Sequence, residues 1–457
     1  MIERRLRVEL SEYEQIRVDG VVMSEADGAL AERLSGDAHN PRITVRWLAN
    51  GQVEVNATQW VGVVTFSELE IHVVPKFLGG SLQVLKMLDF VSSSSLMRSL
   101  ENERVMELDG LSLPDMLCRL LADSAHRLLD RGLLHGYRSV EDELPVLRGR
   151  LDHRTQVLRR FGRIDRLQCI YDEYDADHPD NQLVCAALGQ ARTMATDRRL
   201  KRDLARLHGL YAEACSPLTS EPDWYRERIV YGRLNERYRT CHDIAYLVLR
   251  NSAFDDLFST EGSLNIQSFM LNMNVLFERF VRRLVDVALS GTELWLESNT
   301  TLRAAIVDSS TQRSYSTIDP DLIVGSTRDD RRIPIDIKYK RYDDHQLSTS
   351  DIYQAVTYGL ALSAESEPAH AGILYPGAET MIASRLDVKG GDRSHRVHIN
   401  AISLNLASVL NDIDSSHQLA PELTTELRHL IGSVRPPAQR DDAIARRPEW
   451  RRRLSRN

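Results

Sequence analysis

The clearest chemical signal in the sequence is a carboxylate and an ammonium group on a strand that otherwise consists of isoleucine. Residues 333–339 read Ile-Pro-Ile-Asp-Ile-Lys-Tyr. Because side chains alternate between the two faces of a strand, Asp336 and Lys338 share one face and the three isoleucines share the other. An edge strand with a surface ion pair would give the same pattern. A buried pair of this kind would instead indicate a catalytic site.

A second carboxylate precedes this strand. Residues 317–324 read Thr-Ile-Asp-Pro-Asp-Leu-Ile-Val, and a hairpin through 325–332 would bring Asp321 next to Asp336. Two carboxylates and a backbone carbonyl form a hard-oxygen site suited to Mg²⁺. Lys338 could then orient or deprotonate a water, or neutralise charge on a phosphate. Asp319 lies on the same strand face as Asp321, so either could be the first ligand. We prefer Asp321 because it follows Pro320.

Two predicted helices flank these strands and carry further polar residues. The helix over 270–289 has one broad apolar sector, and Glu278 lies at the boundary of that sector. On the second helix, Gln354 and Tyr358 are four residues apart and therefore share a face. The alternatives are an ordinary boundary glutamate and a tyrosine that only packs in the core.

The elements around this site suggest a mixed sheet. The pattern predicts, in chain order, a helix at 270–289, strands at 301–307, 315–324 and 333–339, a helix from a Thr349/Ser350 cap to Leu362, and a strand at 371–375. This order is typical of an α/β or α+β domain. Pro334 has no backbone N–H to donate to a neighbouring strand. The strand over 333–339 would therefore suit an edge position in the sheet.

The whole chain is predicted to be a multidomain α+β protein. We expect a β-rich N-terminal domain over 1–80, a mainly helical middle region over 81–260 with an irregular insert at 137–180, a C-terminal α/β domain with a mixed sheet over 261–434, and a basic, flexible tail over 435–457. The N-terminal strands are expected at 43–47, 53–55, 61–66 and 69–74, with an Asn50-Gly51 turn.

Composition excludes several classes of protein. The 457 residues are 42% hydrophobic and 27% charged, which is ordinary for a globular chain. There is no apolar stretch of membrane-spanning length and no secretory signal, so we expect a cytoplasmic protein. The closest two of the five cysteines are 16 residues apart, which argues against a zinc ribbon, an iron–sulfur nuclease and a disulfide framework.

The charge is uneven. The net charge is −8, yet 435–457 holds eight arginines against three acids, and 148–166 holds seven arginines against two acids. DNA contact would therefore have to be local and salt-sensitive. Arg148 and Arg150 are candidates for an interface or a DNA contact. A solvated face is the simpler interpretation of each cluster.

Taken together, the Pro-Asp, Asp-x-Lys and Gln-x-x-x-Tyr motifs resemble the PD-(D/E)xK nuclease superfamily. Longer stretches resemble McrC, the nuclease subunit of McrBC modified-DNA restriction systems. These are Trp-Val-Gly-Val-Val at 60–64, Ile-His-Val-Val-Pro-Lys at 71–76, Glu-Leu-Pro-Val-Leu-Arg-Gly-Arg at 143–150, Cys-Ile-Tyr-Asp-Glu-Tyr at 169–174 with Asp180-Asn181, and Met-Asn-Val-Leu-Phe-Glu-Arg-Phe-Val at 273–281.

The resemblance implies a Mg²⁺-dependent endonuclease that acts on double-stranded, modified DNA. Asp321, Asp336 and Glu278 would hold the metal, Lys338 would assist, and Gln354 and Tyr358 would support the site or contact DNA. The N-terminal part would dock on McrB, a ring-forming AAA+ GTPase, and stimulate its hydrolysis. The sequence has no Gly-x-x-x-x-Gly-Lys-[Ser/Thr] loop, which fits a motor carried by another chain.

Two alternatives stay open at this point. The partner could be a different AAA+ motor that directs cleavage of unmodified phage or plasmid DNA. Alternatively, the chain could be a non-catalytic activator of a motor ring, in which case substitution of Asp336 would have no effect. The intact carboxylate pair and lysine argue against the second alternative.

Overall fold

The fold was analysed in a computed structural model that divides into two compact units, residues 1–276 and 277–457. The structure describes residues 5–36, 41–48, 51–92, 110–161, 165–217, 219, 221–256, 268–298, 300–327, 332–342, 346–363, 368–389, 395–413 and 416–433. The predicted basic tail, 435–457, lies outside them. The expected N-terminal and middle regions share the first unit.

The first unit begins with two small sheets. Its first elements are β1 Leu6–Ser11, β2 Gln15–Asp19, α1 Glu25–Ser35, β3 Ile43–Trp47, β4 Gln52–Ala57, β5 Trp60–Thr65 and β6 Leu69–Val74. One sheet has the order β2-β4-β3, and β1, β6 and β5 are consecutive in the other. The alternation predicted for β4 is confirmed, since Val53 and Val55 are fully buried and their neighbours are not.

Helices follow, with a small sheet between them. These elements are α2 Ser81–Ser92, α3 Leu113–Asp130, β7 Gly136–Leu144, β8 Arg150–Leu151, α4 His153–Arg160, β9 Leu167–Asp175, α5 Pro179–Met194, α6 Arg198–Ala214, α7 Pro222–Arg226, the 3₁₀ helix Glu236–Tyr238 and α8 Arg239–Asp256. Two helix starts are capped by side chains, because Ser112 accepts from the Asp115 amide and Asp197 accepts from the Leu200 amide.

The segment expected to be irregular, 137–180, contains regular strands instead. β7 pairs with β9 along nine residues, and β8 pairs with the other edge of β9. The charged side chains of β7 alternate only weakly between buried and exposed. The sequence pattern indicated only short extended pieces such as 168–174, which lies in β9, because much of this sheet is solvated and lacks the apolar face that produces a period of two.

The start of the next helix also differs from the prediction. Residues 268–272 form a strand, β10 Ser268–Asn272, and the helix α9 Met273–Leu289 begins only after it. β10 pairs antiparallel with β5 and completes the sheet β1-β6-β5-β10. Residues 268–272, which the sequence pattern places in the C-terminal domain, therefore form a strand of the N-terminal sheet.

The second unit contains the predicted mixed sheet. Its remaining elements are β11 Leu294–Leu296, β12 Leu302–Val307, β13 Ser314–Ile318, β14 Leu322–Ser326, β15 Ile333–Ile337, α10 Thr349–Leu362, β16 Ala369–Pro376, β17 Met381–Lys389, β18 His395–Leu404, α11 Leu406–Asn411 and α12 Pro421–Ser433. The sheet order is β11-β14-β15-β16-β18-β17, and β12 and β13 pair separately. No helix among the described residues is long and apolar enough to cross a bilayer.

The strand that carries Asp336 lies inside this sheet. β15 pairs antiparallel with β14 and parallel with β16, so the edge position suggested by Pro334 is wrong for the strand as a whole. Pro334 is opposite Ile323 of β14, while the pairing with β16 begins only at Ile335. Pro334 has no backbone N–H, but at this residue β15 is paired with β14 only. No hydrogen bond to β16 is therefore lost there.

Helix α10 covers one face of the same sheet. Ala355 of this helix packs in a core cluster with residues of β16 and β18, among them Ile373 and Ile399. The side chain of Ser348 caps the helix by accepting from the Asp351 amide, one residue before the predicted Thr349/Ser350 cap. This packing fixes the position of Gln354 and Tyr358 relative to the strands.

Candidate metal and catalytic site

The two aspartates meet where β14 begins and β15 ends, and the chain is continuous from β13 through Asp321 into β14. The predicted hairpin is confirmed by the register Leu322 opposite Ile335. The expected single strand over 315–324 is divided between β13 and β14, because the strand conformation is interrupted at Asp319-Pro320-Asp321. At this interruption, the Asp321 carboxyl oxygen Oδ2 accepts a 2.6 Å hydrogen bond from the Ile337 amide.

Asp336 and Lys338 form a largely buried ion pair. The Asp336 side chain is 1% exposed and that of Lys338 is 18% exposed. Lys338 Nζ donates to Asp336 Oδ1 over 3.1 Å and lies 2.9 Å from Oδ2. Within the described part of the chain, Oδ2 is buried and accepts no hydrogen bond of good geometry. One carboxylate oxygen is thus available for a cation or a proton.

The electrostatics of the site favour neutralisation of its carboxyl groups. Burial raises the pKa of Asp336 to about 7 against the opposing effect of Lys338, and the charge on Asp321 contributes to the rise. Burial also raises the pKa of Asp321, although the Ile337 amide and Lys338 oppose it. For Lys338 burial acts to lower the pKa, but the carboxylates of Asp336 and Asp321 outweigh burial and raise it.

Gln354 and Tyr358 hold the lysine from the helix side. Lys338 Nζ donates to Gln354 Oε1 over 3.0 Å, and Gln354 Nε2 donates to the Tyr358 hydroxyl over 2.6 Å. The Tyr358 hydroxyl donates in turn to the Asp319 carbonyl oxygen over 3.2 Å. Tyr358 is also buried, so it both packs in the core and takes part in the polar chain.

Glu278 and Asp319 occupy more open positions. Glu278 on α9 is exposed as a residue. The pKa of its carboxyl is nevertheless raised, first by partial desolvation and then by the charge on Asp321. The Asp319 side chain is exposed, whereas Asp321 is partly buried beside Asp336. The aspartate that contacts the pair is therefore Asp321.

Two supporting groups were not found from the sequence. Arg282 of α9 donates to the carbonyl oxygens of Asp321 over 3.1 Å and Glu297 over 2.8 Å. Asp351 is buried and accepts from Tyr342 and from Ser348. Lys340 lies 3.4 Å from the same carboxylate. Spacing alone gives no sign of these contacts, because they depend on loop geometry.

The donor set fits a hard cation held by few protein ligands. Among the described residues, no three His, Cys, Asp or Glu side chains come together as a metal cluster. The carboxyl groups of Asp321 and Asp336 are nevertheless adjacent, and Oδ2 of Asp336 accepts no hydrogen bond of good geometry among the described residues. Mg²⁺ commonly uses one or two carboxylates and keeps several waters, so this set suits it.

The chain matches a family model described as McrBC 5-methylcytosine restriction system component over residues 55–376. No curated protein matches it. Its fold is similar to a chain in the refined half-complex from the tetradecameric assembly of Thermococcus gammatolerans McrB AAA+ hexamers with bound McrC. That match has a TM-score of 0.60 and 17% identity, and covers 94% of this chain and 100% of that one.

A second solved structure, the cryo-EM structure of the Thermococcus gammatolerans McrBC complex, matches with a TM-score of 0.43 and 19% identity. The match covers 62% of this chain and 88% of the matched chain in that structure. The family match spans more than half of the chain and includes Asp321, Asp336, Lys338, Gln354 and Tyr358. The chain therefore belongs to the McrBC 5-methylcytosine restriction system component family, in agreement with the resemblance to McrC found in its sequence.

Proposed function

We propose that the chain is the Mg²⁺-dependent endodeoxyribonuclease subunit of a McrBC-like restriction system directed at 5-methylcytosine DNA, and that its second unit is a PD-(D/E)xK nuclease. The observation that supports this most strongly is the buried Asp336–Lys338 pair beside the partly buried Asp321 carboxyl. A purely structural ion pair has no need for a second buried carboxyl whose charge opposes the first.

Each residue has a separate role in this proposal. Bound Mg²⁺ would supply Lewis-acid chemistry at the scissile phosphate. Asp321 and Asp336 hold the cation, and Glu278 supports it or its water. Lys338 keeps a positive charge where negative charge develops on the phosphate, or orients the attacking water.

The remaining groups hold Lys338 in position. Gln354 accepts from its ammonium group, and Tyr358 fixes the Gln354 amide. Because the charged groups of the site are already oriented before substrate binds, little reorganisation is needed during the reaction. The roles of Gln354 and Tyr358 are therefore positioning roles, and DNA contact by the same side chains is compatible with them.

The proposed partner is a McrB-like AAA+ GTPase ring that recognises and moves along DNA. The support is the likeness to a chain of an assembly described as McrB AAA+ hexamers with bound McrC. We propose that the β-rich N-terminal part, 1–80, docks on that ring and stimulates its hydrolysis. A different motor with unmodified target DNA would leave the nuclease assignment unchanged.

The decisive experiment combines this chain with the product of the neighbouring reading frame. Cleavage of methylated and unmethylated plasmid is measured with Mg²⁺ and either GTP or ATP. We expect cleavage of methylated DNA that needs both chains and nucleotide. Lys338→Ala should reduce it by about 10²–10³-fold, and Asp336→Asn should abolish it. Lys389→Ala, at an exposed lysine of the same unit, is the matched control.

The other outcomes separate the alternatives. Cutting that is independent of methylation would keep the nuclease and change the target. Wild-type cleavage rates in both Lys338→Ala and Asp336→Asn would contradict the assignment of these residues to catalysis. Stimulated nucleotide hydrolysis without any cutting would favour a non-catalytic activator.

A further inference from the structure

Helix α6 has a basic face on which, among the described residues, only Arg206 of five cations lies within 4 Å of an acid. The apolar stripe of this helix is buried and consists of Leu200, Leu204, Leu207 and Tyr211. On a helix wheel of about 100° per residue, the basic residues occupy the opposite sector. These are Arg198, Arg199, Lys201, Arg202 and Arg206, all exposed except the partly buried Lys201.

Of the three acids on this stretch, Glu213 is exposed near the C-terminal end of the helix, and the other two are already engaged. Asp197 caps the helix and accepts from the Arg199 and Leu200 amides over 2.9 and 2.8 Å. Asp203 lies 3.1 Å from His126 of α3 and 3.5 Å from Arg206. Among the described residues, neither Arg198 nor Arg202 has an ion-pair partner within 4 Å. The face therefore retains most of its positive charge.

The position of these charges disfavours the helix itself. The N-terminus of a helix carries partial positive charge, so cations in the first turns are unfavourable there. Arg198 and Arg202 are also four residues apart, as are Arg202 and Arg206, and like charges at this spacing repel. Helix stability therefore gives no reason to place five cations here, whereas an external anion would relieve the repulsion.

We propose that the exposed basic face of α6 binds the phosphate backbone of double-stranded DNA. Arg198, Arg202 and Arg206 span about 12 Å along the helix axis, at 1.5 Å per residue. DNA carries one phosphate per roughly 3.4 Å of each strand, so the row can follow several consecutive phosphates. Arginine forms bidentate hydrogen bonds with phosphate oxygens, and four of the five cations are arginines.

The arginine-rich stretch 148–166, noted in the sequence, is less suited to this role. Arg148 lies 3.5 Å from Glu173 and stacks on the Tyr171 ring at 3.9 Å. Arg166 lies 4.0 Å from Glu143 and donates to its carbonyl oxygen. Two of its charges, those of Arg148 and Arg166, are therefore partly balanced within the protein.

The test measures equilibrium binding of a labelled double-stranded oligonucleotide to the full-length chain over a range of salt concentrations, with EDTA present. The variant is the triple change Arg198→Gln, Arg202→Gln and Arg206→Gln. Because each phosphate contact contributes roughly 0.9 to the slope of log Kobs against log salt, we expect the slope to decrease by about 2.7. Affinity at low salt should fall at least about tenfold.

A control triple keeps the same change in net charge. Arg17→Gln, Arg33→Gln and Arg233→Gln alter three exposed arginines at separate places in the first unit. This control should bind DNA with nearly the wild-type slope. Thermal unfolding at low salt provides a second measurement. The α6 variant should be at least as stable as wild type, because like-charge repulsion is removed, so a loss of binding cannot be ascribed to unfolding.

The outcomes are distinguishable from those of the nuclease proposal, on which this inference rests for its choice of DNA. An α6 variant that binds DNA like wild type overturns the inference, whatever Lys338→Ala does to cleavage. A variant that keeps DNA binding but loses association with the motor overturns it too, and identifies an acidic protein surface as the partner. A weakened salt slope with no cleavage in wild type would retain the DNA surface and reject the nuclease.

Discussion

The Ile337 amide donates a 2.6 Å hydrogen bond to the Asp321 carboxylate, which ties the end of β15 to the residue just before β14. Asp321 precedes its strand and Asp336 lies next to the end of its own, so an antiparallel hairpin brings both to one end of the sheet. The hydrogen bond then fixes the orientation of the Asp321 carboxyl. The carboxylate pair is thus a consequence of strand register.

Removing the Tyr358 hydroxyl should weaken the support of Lys338 without altering the ion pair. In Tyr358→Phe, the Gln354 amide loses its 2.6 Å acceptor and is free to turn away from the lysine. We expect cleavage to fall by about tenfold and the free energy of unfolding to fall by about 1 kcal/mol, the usual contribution of one hydrogen bond. Steady-state cleavage and urea unfolding measure the two effects.

Tyr353→Phe is the matched control for that prediction. It removes the same group from the same helix, at a side chain that is 67% exposed. Cleavage and stability should both stay at wild-type values. Equal losses in the two variants would show that the hydroxyl of Tyr358 has no specific role.

Metal-free protein should lose stability as the pH rises through the range in which Asp336 titrates. Its pKa is raised from 3.8 to about 7 by burial, so the folded state holds a proton that the unfolded state releases. The stability from this proton is present below pH 4 and declines up to pH 7. Mg²⁺ should therefore raise Tm more at pH 8 than at pH 5, measured by calorimetry with and without EDTA.

Asp336→Asn should abolish both the pH-dependent decline and the stabilisation by Mg²⁺. Asp286→Asn, at an exposed aspartate of α9, should preserve both effects. If Mg²⁺ stabilises Asp336→Asn as strongly as wild type, the cation binds elsewhere.

His242 should make the first unit sensitive to acid. The Nε2–H of the buried neutral ring donates to the Asp180 carbonyl oxygen over 3.0 Å, and Nδ1 accepts from the Tyr231 hydroxyl over 3.0 Å. Burial lowers its pKa to about 4, so protonation favours the unfolded state as the pH falls below 6.5. The loss at pH 4 should be at most roughly 3 kcal/mol, from 1.36 kcal/mol per unit.

The measurement is urea unfolding at several pH values, compared with His242→Gln. The variant should show a flatter dependence between pH 6.5 and 4, although its stability at pH 7 is lower. His153→Gln changes an exposed histidine of the same unit and should follow the wild-type curve. Parallel curves for wild type and His242→Gln would contradict the prediction.

Gly62 should tolerate no side chain. Its φ of +143° is unfavourable for other residues, and a Cβ would lie 1.9 Å from the Phe269 carbonyl oxygen. Gly62→Ala should therefore push β10 away from β5 and destabilise the unit by more than about 3 kcal/mol. Gly209→Ala, in helix α6 with no atom within 4 Å of the new Cβ, should stabilise by about 0.5–1 kcal/mol. Thermal unfolding of both variants checks the contrast.

The local patterns were strong enough to predict several elements. β4, β15 and α10 were all visible, because alternating or helical spacing follows directly from which side chains must be buried. Of the sheet of β7, β8 and β9, only the piece 168–174 was visible, and the strand β10 was not. Their residues are partly solvated or depend on a partner strand distant in sequence, so no local periodicity marks them.

By itself, the sequence determined the types and spacing of the site residues: an aspartate and a lysine two residues apart on an apolar strand, and Gln354 and Tyr358 one helical turn apart. Tertiary structure alone decided that Asp321 rather than Asp319 contacts Asp336, and that Lys338 reaches Gln354. The physical reason is that spacing fixes which residues share a face of their own element. Distances between elements, and the burial that raises a pKa, depend on how those elements pack.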